Sequence, residues 1–265
     1  MTRVLKRFFI SLSLAPQMDV ESKISTVLLP REETHHLKNV LRMKEGELCL
    51  LFDSEGYEFV SRIERYRDDS STELKLIESI SKNRGEVTSP LRLTVAQAIP
   101  QDRKMDEIVR QAAELGVYEI IPLITERTIV RIHKDKSAQV VERWQRIADQ
   151  TLKQSRLSRA PRILQSATFD ALCGNLKSYR NAFILDTSPD AKPIRNVVRA
   201  GFKPALTSGG VVKILLVIGP EGGFSQDEIQ NAEHLGAKRV SLGGGILKTD
   251  TAFVAATAFL KFMNL

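Results

Sequence analysis

The chain has 265 residues, of which 42% are hydrophobic and 27% are charged. These ordinary globular values exclude a disordered or fibrous chain and allow one or two domains, with two slightly favoured. Lys and Arg number 39 against 32 Asp and Glu, a net charge of +7, and the longest apolar run has five residues, which excludes a spanning helix of about 20.

The first 80 residues are predicted to form short strands and one helix. An apolar stretch after Lys6 and Arg7 imitates a signal peptide, but two serines break it, so we predict a first strand instead. In the third strand, Tyr57, Phe59 and Ile63 alternate onto one face, interrupted by Ser61. The predicted strands are 7–12, 48–53, 57–63 and 73–79. This pattern indicates a small β-barrel with a helix.

The helix is predicted over residues 31–43, because Pro30 suits its first turn and Gly46 lies just beyond its end. His35 and His36 are adjacent and point apart, which favours a surface or capping role over a metal site. The predicted inner stripe contains Leu37, Val40, Leu41 and the stem of Lys44. Neither cysteine, Cys49 or Cys173, has a Cys/His cluster around it, so no disulfide framework or zinc site is expected.

Residues 81–90 are polar with Gly and Pro and predict a linker. Beyond them strands and helices alternate, which predicts a parallel sheet covered by helices. The helix from Lys104 shows a clear apolar stripe, and Gly116 follows its end. The predicted strands are 92–98, 119–124, 182–186, 213–218 and 239–242. The predicted helices are 104–115, 138–155, 192–200, 226–235 and 249–262.

A glycine-rich turn, residues 218–225, follows the most hydrophobic strand and opens a helix at the Ser225–Glu228 capping box. Ligands in open α/β sheets bind at the carboxyl ends of the strands, where this turn lies. Glu221 argues against a phosphate cradle, because like charges repel, and suits a ribose, an amine or a positive centre. The alternative is a tight structural turn with a solvent-facing Glu221.

A second turn, residues 241–252, contains three successive glycines and also leads into a helix. Ile246 and Leu247 follow the glycines and could form a pocket wall for an adenine-like ring. The alternative is a loose turn between packed elements. No Gly-x-Gly-x-x-Gly follows a first strand and no Gly-Lys-Ser/Thr occurs, which counts against a dehydrogenase and a P-loop NTPase.

The positive charge is concentrated in one stretch. Residues 1–90 carry a net charge of −1 and residues 91–265 a net charge of +8, and residues 127–162 alone hold ten basic and three acidic side chains. Such a patch favours a polyanion such as nucleic acid, because each neutralised phosphate releases counterions. Seven of the ten are arginine, whose planar fork suits phosphate. The alternative is a solvated surface.

Several motifs occur in an order typical of a known family. They include residues 6–10, 36–42, 97–100, 113–117, 143–144, 154–155, 219–225, 242–243 and 246–249. Together they resemble the bacterial 16S ribosomal RNA (uracil-N3)-methyltransferases of the SPOUT superfamily over nearly the whole chain. The resemblance implies a PUA-like RNA-binding β-barrel domain over 1–82. It also implies an α/β domain over 90–265, a SPOUT-type knotted parallel sheet with helices on both faces.

The resemblance further implies S-adenosyl-L-methionine as cofactor, 16S rRNA of the small ribosomal subunit as substrate, and a cytoplasmic homodimer without metal or membrane contact. The implied cofactor-binding residues are Leu185, Gly219, Pro220, Glu221, Gly222, Gly223, Leu242, Gly243, Ile246, Leu247 and Thr249. The residues assigned to RNA binding are Arg7, Arg42, Arg127, Arg143, Arg146, Lys153 and Arg156.

Lys248 and Asp250 are the candidate catalytic residues. Uracil N3 must lose its proton, and Lys248 could stabilise the charge that spreads to O2 and O4, while Asp250 or Glu221 could accept the proton. The sequence departs from the family where Gly245, Lys248 and Asp250 replace the usual Arg, Arg and Glu. Residues 154–157 replace the usual Gln-Ser-Gly-Arg. The rival hypotheses are a non-catalytic RNA-binding ribosome assembly factor and a nucleotide-dependent metabolic enzyme.

Overall fold

The computed structural model describes residues 5–10, 26–52, 58–79, 91–130, 132, 134–155, 157, 159–201 and 211–262. The chain divides into two compact units. The first contains Met1–Val87 and Leu152–Arg159, and the second contains Thr88–Thr151 and Ala160–Leu265. The predicted linker over 81–90 lies outside the described residues. None of the described helices has the length and apolar character that crossing a membrane requires.

The first unit contains a five-stranded sheet. Its strands are β1 (Arg7–Phe9), β2 (Thr26–Leu29), β3 (Leu48–Phe52), β4 (Glu58–Tyr66) and β5 (Thr72–Ser79), in the order β1-β3-β4-β5-β2. β1 pairs with β3 in parallel, and the other neighbours are antiparallel. The predicted alternation is confirmed for Phe59 and Ile63, which are buried with Ser61 between them, while Tyr57 lies outside the described residues. The first strand is confirmed over Arg7–Phe9, whereas β2 was not predicted.

The helix of this unit is shorter and less regular than predicted. The α-helix α1 covers Arg31–His35 with Pro30 at its N-cap, and a π-helical turn follows over His36–Val40. The π turn adds a residue, closed by the Leu41 N–H bonded to the His36 carbonyl at 3.0 Å. The prediction that Val40 lies on the buried stripe is therefore wrong, because the π turn rotates it outward and leaves it 58% exposed.

The second unit is an α/β structure around an eight-stranded sheet, which confirms the predicted parallel sheet with helices. Its strands are β6 (Leu91–Ala98), β7 (Glu119–Ile124), β8 (Arg162–Ile163), β9 (Ala167–Thr168), β10 (Asn181–Leu185), β11 (Lys192–Pro193), β12 (Val212–Ile218) and β13 (Lys238–Ser241). The order is β11-β13-β10-β12-β6-β7-β8, with β9 also on β7, and every pairing is parallel. The trefoil knot stays a prediction, since strand order does not define threading.

Five of the six α-helices described in this unit were predicted from the sequence. They are α2 (Lys104–Glu114), α3 (Lys134–Ser155), α4 (Phe169–Gly174), α5 (Ile194–Gly201), α6 (Gln226–His234) and α7 (Thr249–Phe262). α2 buries Met105, Ile108 and Val109, and Gly116 has φ +67° just past its end. The helix α4 was not predicted. Its N-cap residue is Thr168, whose hydroxyl accepts a hydrogen bond from the Ala171 N–H, and a threonine at this position is a typical helix start in a sequence.

Candidate functional site

Three predicted site turns lie together at one edge of the sheet. Leu185, Gly219 and Leu242 stand at or directly after the ends of β10, β12 and β13, which are neighbours in the order β13-β10-β12. Because these strands are parallel, their carboxyl ends meet at the same edge. The Asp186 N–H donates to the Val240 carbonyl at 2.9 Å, which joins the turn after β10 to β13.

The first glycine turn has a structural reason for each of two glycines. A Cβ at Gly219 would lie 3.0 Å from the Phe224 ring, so the packed aromatic excludes a side chain there. Gly223 has φ +69° and its N–H donates to the Pro220 carbonyl at 2.9 Å, which closes a tight turn. Ser225 and Glu228 form the predicted capping box, so α6 begins directly after the turn.

Glu221 is exposed, but its carboxylate is not free. Its Oε1 accepts from Lys104 Nζ at 3.1 Å and from the Gln101 N–H at 3.4 Å. Desolvation opposes ionisation of Glu221, but hydrogen bonds from its own backbone, Lys104 and Gln101 outweigh it and lower its pKa. Glu221 is therefore solvent-exposed, as the structural alternative has it, but Lys104 at the start of α2 and the Gln101 N–H also hold its carboxylate in place.

Arg127, assigned above to RNA binding, lies beside this turn and is exposed. Its Nη1 donates to the Gly222 carbonyl at 2.9 Å, from the segment that follows β7. A Cβ at Gly222 would meet the Arg127 stem at an ordinary 3.7 Å, and Gly222 has no positive φ. Gly222 is therefore a glycine for which the protein's own packing gives no reason, unlike Gly219.

Thr249 connects the first turn to α7 and to the end of β6. Its hydroxyl donates to the Gly219 carbonyl at 3.0 Å and accepts from Gln97 Nε2 at 3.1 Å. Both side chains are buried. Gln97 Oε1 is buried and has no hydrogen-bond partner among the described residues. Sequence reasoning quoted Gln97 only within a motif, and nothing in its local sequence indicated this long-range contact.

Replacing Thr249 with valine should destabilise the protein by about 1–3 kcal/mol. Valine has nearly the same shape, but it leaves the half-buried Gly219 carbonyl and one donor of the buried Gln97 without a partner. Chemical denaturation measures the loss, and Thr249→Ser should recover most of it. Thr251→Val, at an exposed position of the same helix, is the matched control, and an equal loss there would contradict the argument.

The second glycine turn exposes bare backbone at the same edge. Gly243 and Gly244 have φ +77° and +74°, and no heavy atom lies within 4 Å of a Cβ at Gly243, Gly244 or Gly245. Ile246 is 86% exposed and Leu247 is 39% exposed, so protein atoms do not cover this apolar pair. The open glycine backbone can bind polar groups of a ligand, and Ile246 and Leu247 can pack against an apolar ring of the same ligand.

The candidate catalytic residues follow this turn. Lys248 is exposed, whereas Asp250 is half-buried and its Oδ1 has no hydrogen-bond partner among the described residues. Asp250 lies close enough to Lys104 to help raise the pKa of that lysine, after the larger effect of the Glu221 hydrogen bond. The Asp250 Oδ1 is itself buried, and the carboxylate beside the two turns is a group of the kind that can accept a proton.

No local signal in the sequence indicated Arg239, which holds the turn after β10. Its guanidinium pairs with both Asp186 and Asp190, and the arginine side chain is only 11% exposed. The Asp186 carboxylate also accepts from the Thr187 N–H at 2.8 Å. Burial opposes ionisation of Asp186, yet hydrogen bonds from Ser188, Arg239 and Thr187 lower its pKa. The ion pairs of Arg239 with Asp186 and Asp190 therefore hold the turn after Leu185 in place.

The basic residues assigned to RNA binding differ in whether they form ion pairs with acidic side chains. Arg7 pairs with Glu58 at 2.7 Å and stacks 4.3 Å from the Phe52 ring centroid, which favours a structural role. On α3, Arg143 pairs with Asp106, and Arg146 pairs with Glu142 at 2.6 Å.

Of the other cations assigned to RNA binding on these elements, the structure describes the side chain of Arg42 but not those of Lys153 and Arg156. Arg42 is exposed with φ +51°. Arg156 and the side chain of Lys153 lie outside the described residues. On α3, acidic neighbours partly neutralise the charges of Arg143 and Arg146, and their assignment to RNA binding stays a prediction.

Comparison with known proteins covers both units. A family model described as an RNA methyltransferase domain matches residues 87–261, and an RNA methyltransferase PUA domain matches residues 29–71. The chain is 30% identical over 248 residues to ribosomal RNA small subunit methyltransferase E of Synechocystis, covering 93% of the chain and 75% of that protein. The Bacillus subtilis protein of the same name is 26% identical, covering 98% and 97%.

Two similar solved structures contain a cofactor. A Legionella pneumophila protein with bound SAM is 30% identical, covers 97% of both chains and has a TM-score of 0.77. The Neisseria gonorrhoeae ribosomal RNA small subunit methyltransferase E, bound to S-adenosyl methionine, is 27% identical, covers 98% of both chains and has a TM-score of 0.76.

Proposed function

The chain belongs to the RNA methyltransferase family, and from this premise we propose that it transfers a methyl group from S-adenosyl-L-methionine to N3 of a uracil in 16S rRNA of the small ribosomal subunit. The observation that carries the proposal is the meeting of three turns, after β10, β12 and β13, at one sheet edge. Proteins 30% and 27% identical to this chain bind that cofactor.

The residues at this edge fit the cofactor. Gly222 leaves room that the packing does not require, and Gly243 and Gly244 offer open backbone. Ile246 and Leu247 provide an exposed apolar wall for the adenine ring. We propose that these groups hold it, together with Leu185, Gly219, Pro220, Glu221, Gly223, Leu242 and Thr249. When bound, S-adenosyl-L-methionine supplies a methyl group on a sulfonium, which a nucleophile can attack.

The chain's own residues supply the proton chemistry. Uracil N3 becomes nucleophilic when its proton leaves, and the half-buried Asp250 carboxylate is the better acceptor. Glu221 is less suited, because its hydrogen bonds lower its pKa and Lys104 already occupies it. Lys248 is exposed at the same turn and can stabilise the negative charge on the uracil oxygens. The N3–C bond forms as the sulfonium releases the methyl group.

The two units have separate roles in the proposal. We propose that residues 1–82 form a PUA-like RNA-binding domain and residues 90–265 the methyltransferase domain. The target uracil must be unpaired or splayed out to reach the glycine turns. Arg42 and Arg127 are exposed cations suited to phosphate contact. We also propose a homodimer that acts in the cytoplasm on the small subunit.

The test uses the full chain and small subunits from a strain that lacks it. With S-adenosyl-L-methionine labelled in the methyl group, we expect one labelled uracil in 16S rRNA, located by mass mapping. Calorimetric titration with the cofactor distinguishes the enzyme from the rival hypothesis of a non-catalytic assembly factor, because an assembly factor needs no cofactor site. Cofactor binding without any label in 16S rRNA would refute the substrate, and absence of binding would refute the enzyme.

A further inference from the structure

A second polar cleft lies at the opposite edge of the parallel sheet, where the strands begin. We call it the amino-edge cleft. It is a cavity of about 240 Å³ near the starts of β6, β7, β8 and β12. The residues that matter in it are Arg92, Tyr118, Glu119, Arg162, Tyr179 and Lys213. β12 has seven residues, so the glycine turn at its other end is about 20 Å away.

Two cations of the amino-edge cleft lie directly side by side. Arg92 on β6 and Lys213 on β12 are partners in the register of adjacent parallel strands, so their side chains leave the same face. Like charges opposite each other on neighbouring strands are destabilising. Lys213 is exposed and Arg92 half-buried. An anion bound between them would turn this repulsion into two attractions.

The cleft contains one carboxylate, which does not cancel its charge. Glu119 lies 3.7 Å from the Arg162 guanidinium and accepts from the Thr94 hydroxyl at 3.4 Å. Arg162 remains 59% exposed, so it can turn toward a ligand. Three cations against one anion leave the cleft with a net charge of +2 at neutral pH.

Two tyrosines make the cleft suitable for a nucleotide backbone. The Arg92 guanidinium stacks over the Tyr118 ring, 4.6 Å from its centroid, which holds the planar fork in one orientation. Tyr179 is half-buried and is hydrogen-bonded to Thr94 on the other side of the cavity. Pre-oriented arginine beside aromatic rings is the arrangement that phosphate and nucleotide recognition uses.

We propose that the amino-edge cleft binds a backbone phosphate of the rRNA substrate, at a position separate from the methyl-transfer site. The proposal rests on the proposed function, since RNA is the polyanion that this function brings to the chain. A site about 20 Å from the glycine turns would contact nucleotides well away from the target uracil. The cleft would thereby orient the RNA while the target base enters the other edge.

The test is Lys213→Glu, which should change stability and RNA binding in opposite directions. It replaces the Arg92–Lys213 repulsion with an attraction, so Tm should rise by about 1–2 °C. Binding to small-subunit RNA should weaken about tenfold, and the salt dependence of log K should flatten by about 0.7 for the lost contact. Calorimetry should give an unchanged affinity for S-adenosyl-L-methionine.

The matched control is Lys192→Glu, which makes the same change of charge at an exposed strand position outside the cleft. It should leave the salt slope near that of the unmodified chain. A double variant, Arg92→Gln with Arg162→Gln, provides a second measurement and should also reduce the slope by about 0.7, because the same single phosphate contact is lost. If Lys192→Glu weakens binding as much as Lys213→Glu does, net charge explains the effect and the cleft is refuted.

The outcomes separate this proposal from the proposed function. If the unmodified chain methylates rRNA and both cleft variants bind RNA with its affinity and slope, the cleft is wrong and the function stands. If inorganic phosphate binds the cleft but the variants leave RNA binding unchanged, the cleft holds a small anion only, which also refutes the proposal. If the unmodified chain neither binds nor methylates rRNA, both fail.

Discussion

Replacing Gly222 with valine should reduce the affinity for S-adenosyl-L-methionine at least about 100-fold, which is about 2.7 kcal/mol. The side chain would occupy the space beside the turn where we place the cofactor. The protein itself tolerates the change, because a Cβ there lies 3.7 Å from Arg127 and the backbone needs no positive φ. Calorimetric titration measures the affinity, and a thermal melt should show a nearly unchanged Tm.

Two other glycines show that the effect is specific. Gly174→Val, at the end of α4 where no heavy atom lies within 4 Å of a Cβ, should leave cofactor affinity unchanged. Gly219→Val should instead destabilise the protein by about 1–3 kcal/mol, because its Cβ would be forced against the Phe224 ring. If Gly222→Val binds the cofactor normally, this turn does not hold it.

Replacing Lys248 with alanine should lower kcat about 100-fold while leaving the affinity for the cofactor unchanged. The ammonium group acts only when negative charge develops on the uracil, so its removal affects the transition state more than binding. Lys248→Arg should retain most of the activity, since arginine keeps the charge. Single-turnover methylation of small subunits measures the rate.

Lys238→Ala provides the matched control for this variant. Lys238 is a lysine at the start of β13, and its Nζ donates to Asn181 Oδ1 at 2.9 Å. Asn181 begins β10, so this lysine lies at the opposite end of the strands from the glycine turns. We expect kcat within about twofold of the unmodified chain. An unchanged kcat for Lys248→Ala would exclude it as the stabilising cation. Asp250→Asn then tests whether proton removal limits the rate instead.

Local signals in the sequence predicted some elements to the residue. β7 and α7 have the predicted bounds, and α6 begins at the predicted capping box. These elements combine a clear apolar pattern with a defined start, so neighbouring residues determine them. The carboxyl-edge position of both glycine turns was predicted for the same reason, since each follows a strand and precedes a helix.

The contacts that build the site could not be predicted in this way. Lys104 and Glu221 are 117 positions apart, and Arg127 and Gly222 are 95 positions apart. Such pairs depend on the strand order, which places β12 between β6 and β10. The π turn after His35 was also unpredictable, because one extra residue in a helix leaves no mark in the sequence.

The hydrogen bonds of Thr249 have a consequence for the order in which the chain folds. Gln97 and Thr249 are 152 positions apart, and Gly219 lies between them in sequence. During synthesis, β6 and β12 are made before α7, so the Gly219 carbonyl and Gln97 have no Thr249 partner until the last helix is made. A C-terminally truncated chain that lacks α7 therefore loses both hydrogen bonds of Thr249 beside the first glycine turn. We expect such a chain to bind the methyl donor more weakly than the full chain.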